Sequence, residues 1–272
     1  MKGGTTRRVG TVALSIAVAS LIAGVSCSST ATSGSGGSPS TAASTHLTVL
    51  AASSLTQAFG QIAKDFDEAH PSATITFSFG PSDGLATQIQ NGVPADVYAS
   101  ASETWMDAVQ KDPGVSGRTD FARNRLVIIT PKDDPAGIGS IQDLGKPDVK
   151  LVLAAKDVPA GTYAREALAN AGIGTQAEAN VVSNEEDDQA VVQKVLLGEA
   201  DAGIVYVTDL TPDVESQVRA VEIPKSVNVI ATYPIAVVSG SEQPALAQDF
   251  ADYVTGEAGQ QTLHRFGFLP AS

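Results

Sequence analysis

The sequence predicts an α/β protein built from two lobes, each a mainly parallel sheet flanked by helices. Three observations predict it. From residue 46 onward, short apolar runs alternate with amphipathic segments of helical period, the pattern of repeated strand–helix units. Two longer apolar runs, 125–130 and 229–238, divide this part of the chain into thirds and read as crossovers between lobes. No internal repeat of solenoid length breaks the alternation.

The elements follow in order. Residues 47–51 are an apolar strand that stops at Ser53-Ser54, and residues 56–68 are a helix with Phe59, Ile62, Ala63 and Phe66 on one face. Residues 73–79 alternate and are rich in β-branched side chains, hence a strand. A short helix over 84–91, a short strand over 96–99 and a helix over 103–110 come next. The strand at 125–130 ends at Pro131. Beyond it the reading is strand 149–154, helix 163–171, strand 179–182, helix 189–197 and strand 202–207. Residues 218–223 and 227–238 are extended, the second broken by Pro234, and helices over 245–255 and 260–266 close the chain. The crossovers assign residues 46–125 plus 235–272 to lobe 1 and residues 126–234 to lobe 2.

The N-terminus stands apart from this body. Lys2, Arg7 and Arg8 precede an apolar, Ala-rich run over 12–25, too short for a comfortable membrane span and typical of a secretory signal. Cys27, the only cysteine of the chain, follows in Leu21-Ile-Ala-Gly-Val-Ser-Cys27. This resembles a bacterial lipobox, with Gly24 where leucine is preferred. A lone cysteine has no partner for an internal disulfide, so lipidation explains it better than structure does. Residues 1–26 are therefore expected to be a removable signal peptide. Residues 27–45 are Ser-, Thr- and Gly-rich and read as a lipid-anchored tether unable to bury a core.

A formal net charge of −13 over 272 residues, with no Lys/Arg cluster, argues against nucleic acid as a partner. It leaves a small anion open, because local dipoles decide that affinity. In Val49-Leu-Ala-Ala-Ser-Ser-Leu-Thr56 a strand ends on two hydroxyls and turns into a helix, which leaves free backbone N–H groups beside them. Polar or Gly-containing turns at Ser82, Ala160 and Asp188 repeat the arrangement. Several helix N-termini aimed inward suit a small oxyanion.

Six segments, in order, resemble the periplasmic molybdate-binding proteins of ABC transporters. They are Val49-Leu-Ala-Ala-Ser-Ser-Leu-Thr56; Pro94-Ala-Asp-Val-Tyr-Ala-Ser-Ala101 with Trp105-Met-Asp107; Val158-Pro-Ala-Gly-Thr-Tyr-Ala-Arg-Glu-Ala-Leu168; Gly203-Ile-Val-Tyr206; Tyr233-Pro-Ile-Ala-Val-Val238; and Arg265-Phe-Gly-Phe268. The resemblance covers nearly all of residues 46–270. It implies a type II periplasmic-binding-protein fold, with a hinged cleft that holds a tetrahedral oxyanion, molybdate or tungstate, by hydrogen bonds. It implies that Ser54 and Ser82 each give a hydroxyl and a backbone N–H, Ala160 and Asp188 a backbone N–H, and Tyr206 a phenol hydroxyl. It also implies no catalysis, no cofactor, and a monomer that docks on a membrane permease driven by a cytoplasmic ATPase. The chemistry agrees, since molybdate oxygens only accept and the residues named are donors.

Asp188 departs from the resemblance, which more often has an apolar residue there. The expectation is that its side chain turns away and caps its own helix. Residues 185–188 as a whole then form a solvated acidic run that suits the helix dipole. Taken singly, Ser54 and Ser82 read as turn or capping serines, Gly161 as turn punctuation, Tyr206 as a core tyrosine and Trp105 as packing. Rival functions are a serine hydrolase, a divalent-cation receptor, and a sulfate or phosphate receptor. The first rests on Gly80-Pro-Ser-Asp-Gly84 with His264, but this elbow comes early and lacks an oxyanion segment. The second needs clustered ligands, whereas His46, His70 and His264 are scattered. The third is closer, and a protonated phosphate would want an acceptor such as Asp83 or Asp188.

Overall fold

The computed structural model describes residues 45–272. The signal segment, Cys27 and all but the last residue of the tether lie outside the described residues. Strand β1 (Thr45–Ala52) passes through a 3-10 turn, Ser53–Leu55, into helix α1 (Thr56–Ala69). β2 (Ala73–Gly80) leads into α2 (Ser82–Gln90), and β3 (Val97–Ala99) precedes α3 (Glu103–Lys111). β1 pairs in parallel with β2 and β3, with Ala51 opposite both Phe79 and Ala99. The C-terminal ends of these strands therefore lie side by side, and the elements that follow them start at one edge. Val49 and Ala51 join the main core and Leu50 a second cluster with Leu85, Tyr98 and Met106. β1 is thus covered on both faces, as a parallel strand should be.

The long strand β4 (Val115–Pro131) is followed by a 3-10 turn, β5 (Leu151–Ala154), α4 (Pro159–Asn170) and α5 (Gly174–Ala179). Next come β6 (Val181–Glu185), α6 (Asp188–Leu196), β7 (Ala202–Tyr206), α7 (Pro212–Gln217) and β8 (Val218–Glu222). β9 (Ile230–Val238), α8 (Pro244–Thr255) and α9 (Glu257–Arg265) complete the chain. The two short helices α5 and α7 escape sequence reading because six residues carry too little periodicity.

The strands run in the order β2-β1-β3-β9-β4-β7-β5-β6, with β8 beside β4. Pairing is parallel among β1, β2 and β3 and among β5, β6 and β7, and antiparallel wherever β4 or β9 takes part. The sheet is therefore mixed, with two parallel groups as expected and antiparallel strands between them. The first half of β4 pairs with β9 from Val115 opposite Val238 to Arg125 opposite Ile230, and its second half pairs with β7 and β8. That first half was hidden in the sequence because Ser116, Arg118, Thr119 and Asp120 are polar. β9 also runs unbroken through Pro234, contrary to the expected interruption. Pro234 faces Asp120 at a register irregularity, where its missing N–H costs no ladder bond, and its carbonyl accepts from Ser100 N–H at 3.0 Å.

The C-terminal helices return to the first third of the chain. Phe250 of α8 packs edge-on against Phe59 and Phe66 of α1, with centroids 5.9 and 5.5 Å apart. Gly60 lies inside α1, and a Cβ built on it meets nothing within 4 Å. Gly60→Ala is therefore expected to stabilise the fold by about 0.5–1 kcal/mol, read as a small rise in Tm.

Candidate functional site

Four chain segments begin their first helical turn around one small cavity. Ser54 is the second residue of the 3-10 turn after β1, and Ser82 is the first residue of α2. Ala160 is the second residue of α4, behind Pro159, and Asp188 the first of α6. The main-chain bonds of α2, α4 and α6 begin with donation from Leu85, Thr162 and Val191, so the amides ahead of these lack a partner in their own helix. The residues before three of the four starts, Ala52, Pro81 and Val158, provide no side-chain cap. A serine or aspartate there would close the amides off. The cavity is small, and Ser54, Ser82, Ala160, Asp188 and Tyr206 all line it. The five residues expected at the site thus meet in one place, although they come from both sides of the β4–β9 pair.

The hydroxyls are held as donors. Ser82 Oγ accepts from Ala101 N–H at 3.0 Å, which leaves its own proton for the cavity. Ser54 Oγ lies 2.9 Å from Tyr233 Oη, and Tyr233 Oη accepts from Asn124 Nδ2 at 3.3 Å. The Asn124 bond to the Tyr233 oxygen allows Tyr233 to donate to Ser54, which would free the serine proton in the same way. Tyr206 Oη is buried and has no partner. Its burial, followed by the neighbouring Tyr233, pushes its pKa well above the usual tyrosine range, so it remains a phenol with a proton to give. Among the described residues, no Lys or Arg lines the cavity.

Gly161 sets the position of the α4 start. A Cβ on it would lie 2.0 Å from the Ala155 carbonyl oxygen and 2.3 Å from that of Ala154, both main-chain atoms at the end of β5. The glycine is a close-approach residue rather than turn punctuation, and it lets the Ala160 amide reach the cavity. Two bonds join the first third of the chain to the middle third beside the cavity. Ser53 Oγ donates to Asp187 Oδ2 at 2.8 Å, and Trp105 Nε1 donates to the Asp157 carbonyl at 3.0 Å. Trp105 packs against the second core cluster, as expected, and adds this link.

Residues 47–269 match the family described as bacterial extracellular solute-binding protein. The chain belongs to that family. Its members capture solutes outside the cytoplasm, and it is not a family of enzymes. Among its relatives is the molybdate-binding protein ModA of Mycobacterium tuberculosis strain H37Rv, 38% identical over 252 residues, 92% of this chain and 94% of that protein. Among solved structures, the periplasmic molybdate-binding protein of Azotobacter vinelandii shares the fold with a TM-score of 0.71 at 20% identity, covering 82% of this chain and 98% of that one. The sulfate-binding protein SubI of M. tuberculosis H37Rv gives a TM-score of 0.73 at 17% identity, over 84% of this chain and 88% of its own. The fold of this solute-binding protein is thus the two-lobed type II architecture that the sequence predicted.

Asp188 differs from expectation. Its side chain does not turn out to cap the helix: the residue is 4% exposed, it lines the cavity, and Oδ2 has no partner. The cap is Asp187, whose Oδ1 accepts from Ala190 N–H at 2.8 Å. Asp187 is the extended residue before the helix, from which a short carboxylate reaches the third amide, while Asp188 already has helical backbone. The run 185–188 is accordingly only partly solvated, with Glu186 exposed and Asp188 buried.

Other members of the site were not read from the sequence. Asp209, 1% exposed, accepts from Tyr206 N–H at 2.8 Å and from Gln189 Nε2 at 3.0 Å, and it lies against Asp188. Asp209 returns to the Tyr206 amide three residues back, but Tyr-x-x-Asp is not a capping-box sequence, so no local signal marked it. Asn124 and Tyr233 had no such signal either, because their role depends on the pairing of β4 with β9. Burial first, then the charge of Asp187, pushes the Asp188 pKa up to about 7. Burial and the Asp188 charge raise that of Asp209 as well. The Ser82–His264 pair of the hydrolase reading is not assembled: His264 is exposed on α9 and borders a separate cavity with Glu257 and Phe268. His46 is the second residue of β1 and His70 follows the end of α1, and neither lines the Ser82 cavity. Asp83 does not line the cavity, which leaves Asp188 as its one carboxyl among the described residues.

Proposed function

We propose that this protein captures molybdate, and with it tungstate, outside the cytoplasmic membrane and delivers it to an ABC importer. The observation that carries the reading is the convergence of uncapped helix starts and a partnerless Tyr206 hydroxyl on one cavity that no Lys or Arg among the described residues lines. A tetrahedral dianion has only acceptor oxygens and is satisfied by neutral donors fixed at the right spacing. In this reading Ser54 and Ser82 give hydroxyls and amides, Ala160 and Asp188 give amides, and Tyr206 gives its phenol proton. Molybdenum keeps its four oxygens and no protein atom ligates the metal. Close relatives that bear the name molybdate-binding protein support the choice of cargo.

Residues 46–125 plus 235–272 form one lobe and residues 126–234 the other, closing about the β4–β9 crossovers. The Ser53–Asp187 and Trp105–Asp157 bonds support such a closed state. Residues 1–26 act as an export signal, Cys27 carries lipid, and residues 27–45 tether a monomer near its membrane permease. A second reading, a phosphate or sulfate receptor, has one observation in its favour: the Asp188 carboxyl is an acceptor for the proton of hydrogen phosphate.

Titration calorimetry of the purified protein with molybdate, tungstate, sulfate and phosphate separates these readings. One ion bound tightly per chain for the first two, with sulfate and phosphate far weaker, is the expected result. Preference for phosphate or sulfate would replace the cargo, and silence toward all four would end the receptor reading. Tyr206→Phe gives a finer check. Removing a buried hydroxyl without a partner should leave the ligand-free Tm unchanged or slightly higher. Molybdate affinity should fall on the order of 10-fold or more, the worth of a hydrogen bond to a charged group.

A further inference from the structure

A carboxyl group at the wall of a site for a dianion is electrostatically wrong unless it carries a proton. Asp188 lines the cavity with a buried, donor-less Oδ2, and it lies against Asp209, which is buried too. Both Asp209 oxygens accept hydrogen bonds, from Tyr206 N–H and Gln189 Nε2. Neither carboxyl forms an ion pair with a Lys or Arg among the described residues. The groups facing them bring no positive charge. Asp187 stands beside them on the approach to α6, its carboxylate held by Ser53 and Ala190; Tyr206 comes from β7, and Tyr233 from β9. Tyr163 of α4 acts on Tyr206, and Glu185 of β6 is engaged by Ser183. β5 carries no titratable residue, Asp213 and Glu215 of α7 are exposed, and Arg123 and Arg125 of β4 border a different cavity with Lys225. Two buried carboxyls side by side, with no cation to offset them, repel each other when both are charged, and an entering dianion adds to that cost.

We propose that the Asp188–Asp209 pair takes up one proton from solvent as the oxyanion enters, so that the bound dianion meets a neutral Asp188. This rests on the oxyanion-receptor reading and adds the residue through which binding depends on pH. The sign follows from linkage. Without ligand, burial first and the Asp187 charge second push the Asp188 pKa up to about 7. The entering dianion raises it further. Below that pH the proton is already present and affinity is flat. Above it, affinity falls by up to about tenfold per pH unit. Molybdate itself stays a dianion throughout, so the slope belongs to the protein.

The test is calorimetry of the purified protein with molybdate at pH 6, 7, 8 and 9, in buffers of different ionisation enthalpy at each pH. The expected result is uptake approaching one proton at pH 8, with Kd weakening steadily from pH 7 to 9. Asp188→Asn, neutral at every pH, should take up no proton and hold a constant Kd, binding molybdate more tightly than the parent at pH 9. Its ligand-free Tm gives a second reading. A folded-state pKa raised above the unfolded value adds stability that is complete below about pH 4 and is lost as pH rises through about 7. The Tm advantage of the Asn variant should therefore grow from pH 5 to pH 8. Tight molybdate binding with no proton uptake and a pH-independent Kd would overturn the proposal while leaving the receptor reading intact. So would tight binding of hydrogen phosphate without uptake, with Asp188 as the acceptor. Absence of any oxyanion binding would overturn both.

Discussion

Replacing Ser54 and Ser82 together by alanine should reduce molybdate affinity by on the order of 10²–10⁴-fold. Each change removes a hydroxyl donor to a charged acceptor, worth about 1.5–3 kcal/mol, and each 1.4 kcal/mol is roughly tenfold in Kd. The losses should compound because the serines approach the cavity from different segments, one after β1 and one at the start of α2. The folding cost should be smaller and unequal. Ser82→Ala deprives the buried Ala101 N–H of its acceptor, whereas Ser54→Ala leaves Tyr233 still bonded to Asn124. Calorimetry with a parallel melting curve separates the two effects. A double variant that folds and still binds molybdate like the parent would remove both serines from the site.

Gly161→Ala should be the most damaging single-atom addition at the site. The new methyl group would sit 2.0 and 2.3 Å from two main-chain carbonyl oxygens, and main chain cannot rotate away as a long side chain does. The start of α4 must lift off the end of β5, at about 3 kcal/mol or more. For a chain of this size that is a fall in Tm on the order of 10 °C. Because Ala160 moves with its neighbour, whatever protein remains folded should also bind molybdate poorly. Gly60→Ala, with open space around its Cβ, is the matched control for the glycine-to-alanine change itself.

Legibility in the sequence followed the range of the interactions involved. Strand–helix units formed by contiguous residues, such as 73–91, were readable because period and turn chemistry are local. Ser54, Ser82 and Ala160 were readable too, since a helix start is written in the residues around it. What failed was non-local. The first half of β4 is polar and becomes a strand only because β9 lies beside it. Pro234 argued for a break, and a register irregularity made room for it. Asp188 was misread because its environment is set by Asp209 and Tyr206, 18 to 21 residues later in the chain. A run of four acidic residues looks solvated from sequence alone. Two of its members turn inward because α6 starts against the cavity rather than at the surface.

The most direct measurement is a crystal structure of the protein grown with molybdate, with anomalous data collected at the molybdenum absorption edge. One strong peak is expected among the first turns that carry Ser54, Ser82, Ala160 and Asp188, with Tyr206 Oη in hydrogen-bonding reach of an oxygen. A peak elsewhere, or none at a molybdate concentration well above Kd, would contradict that expectation.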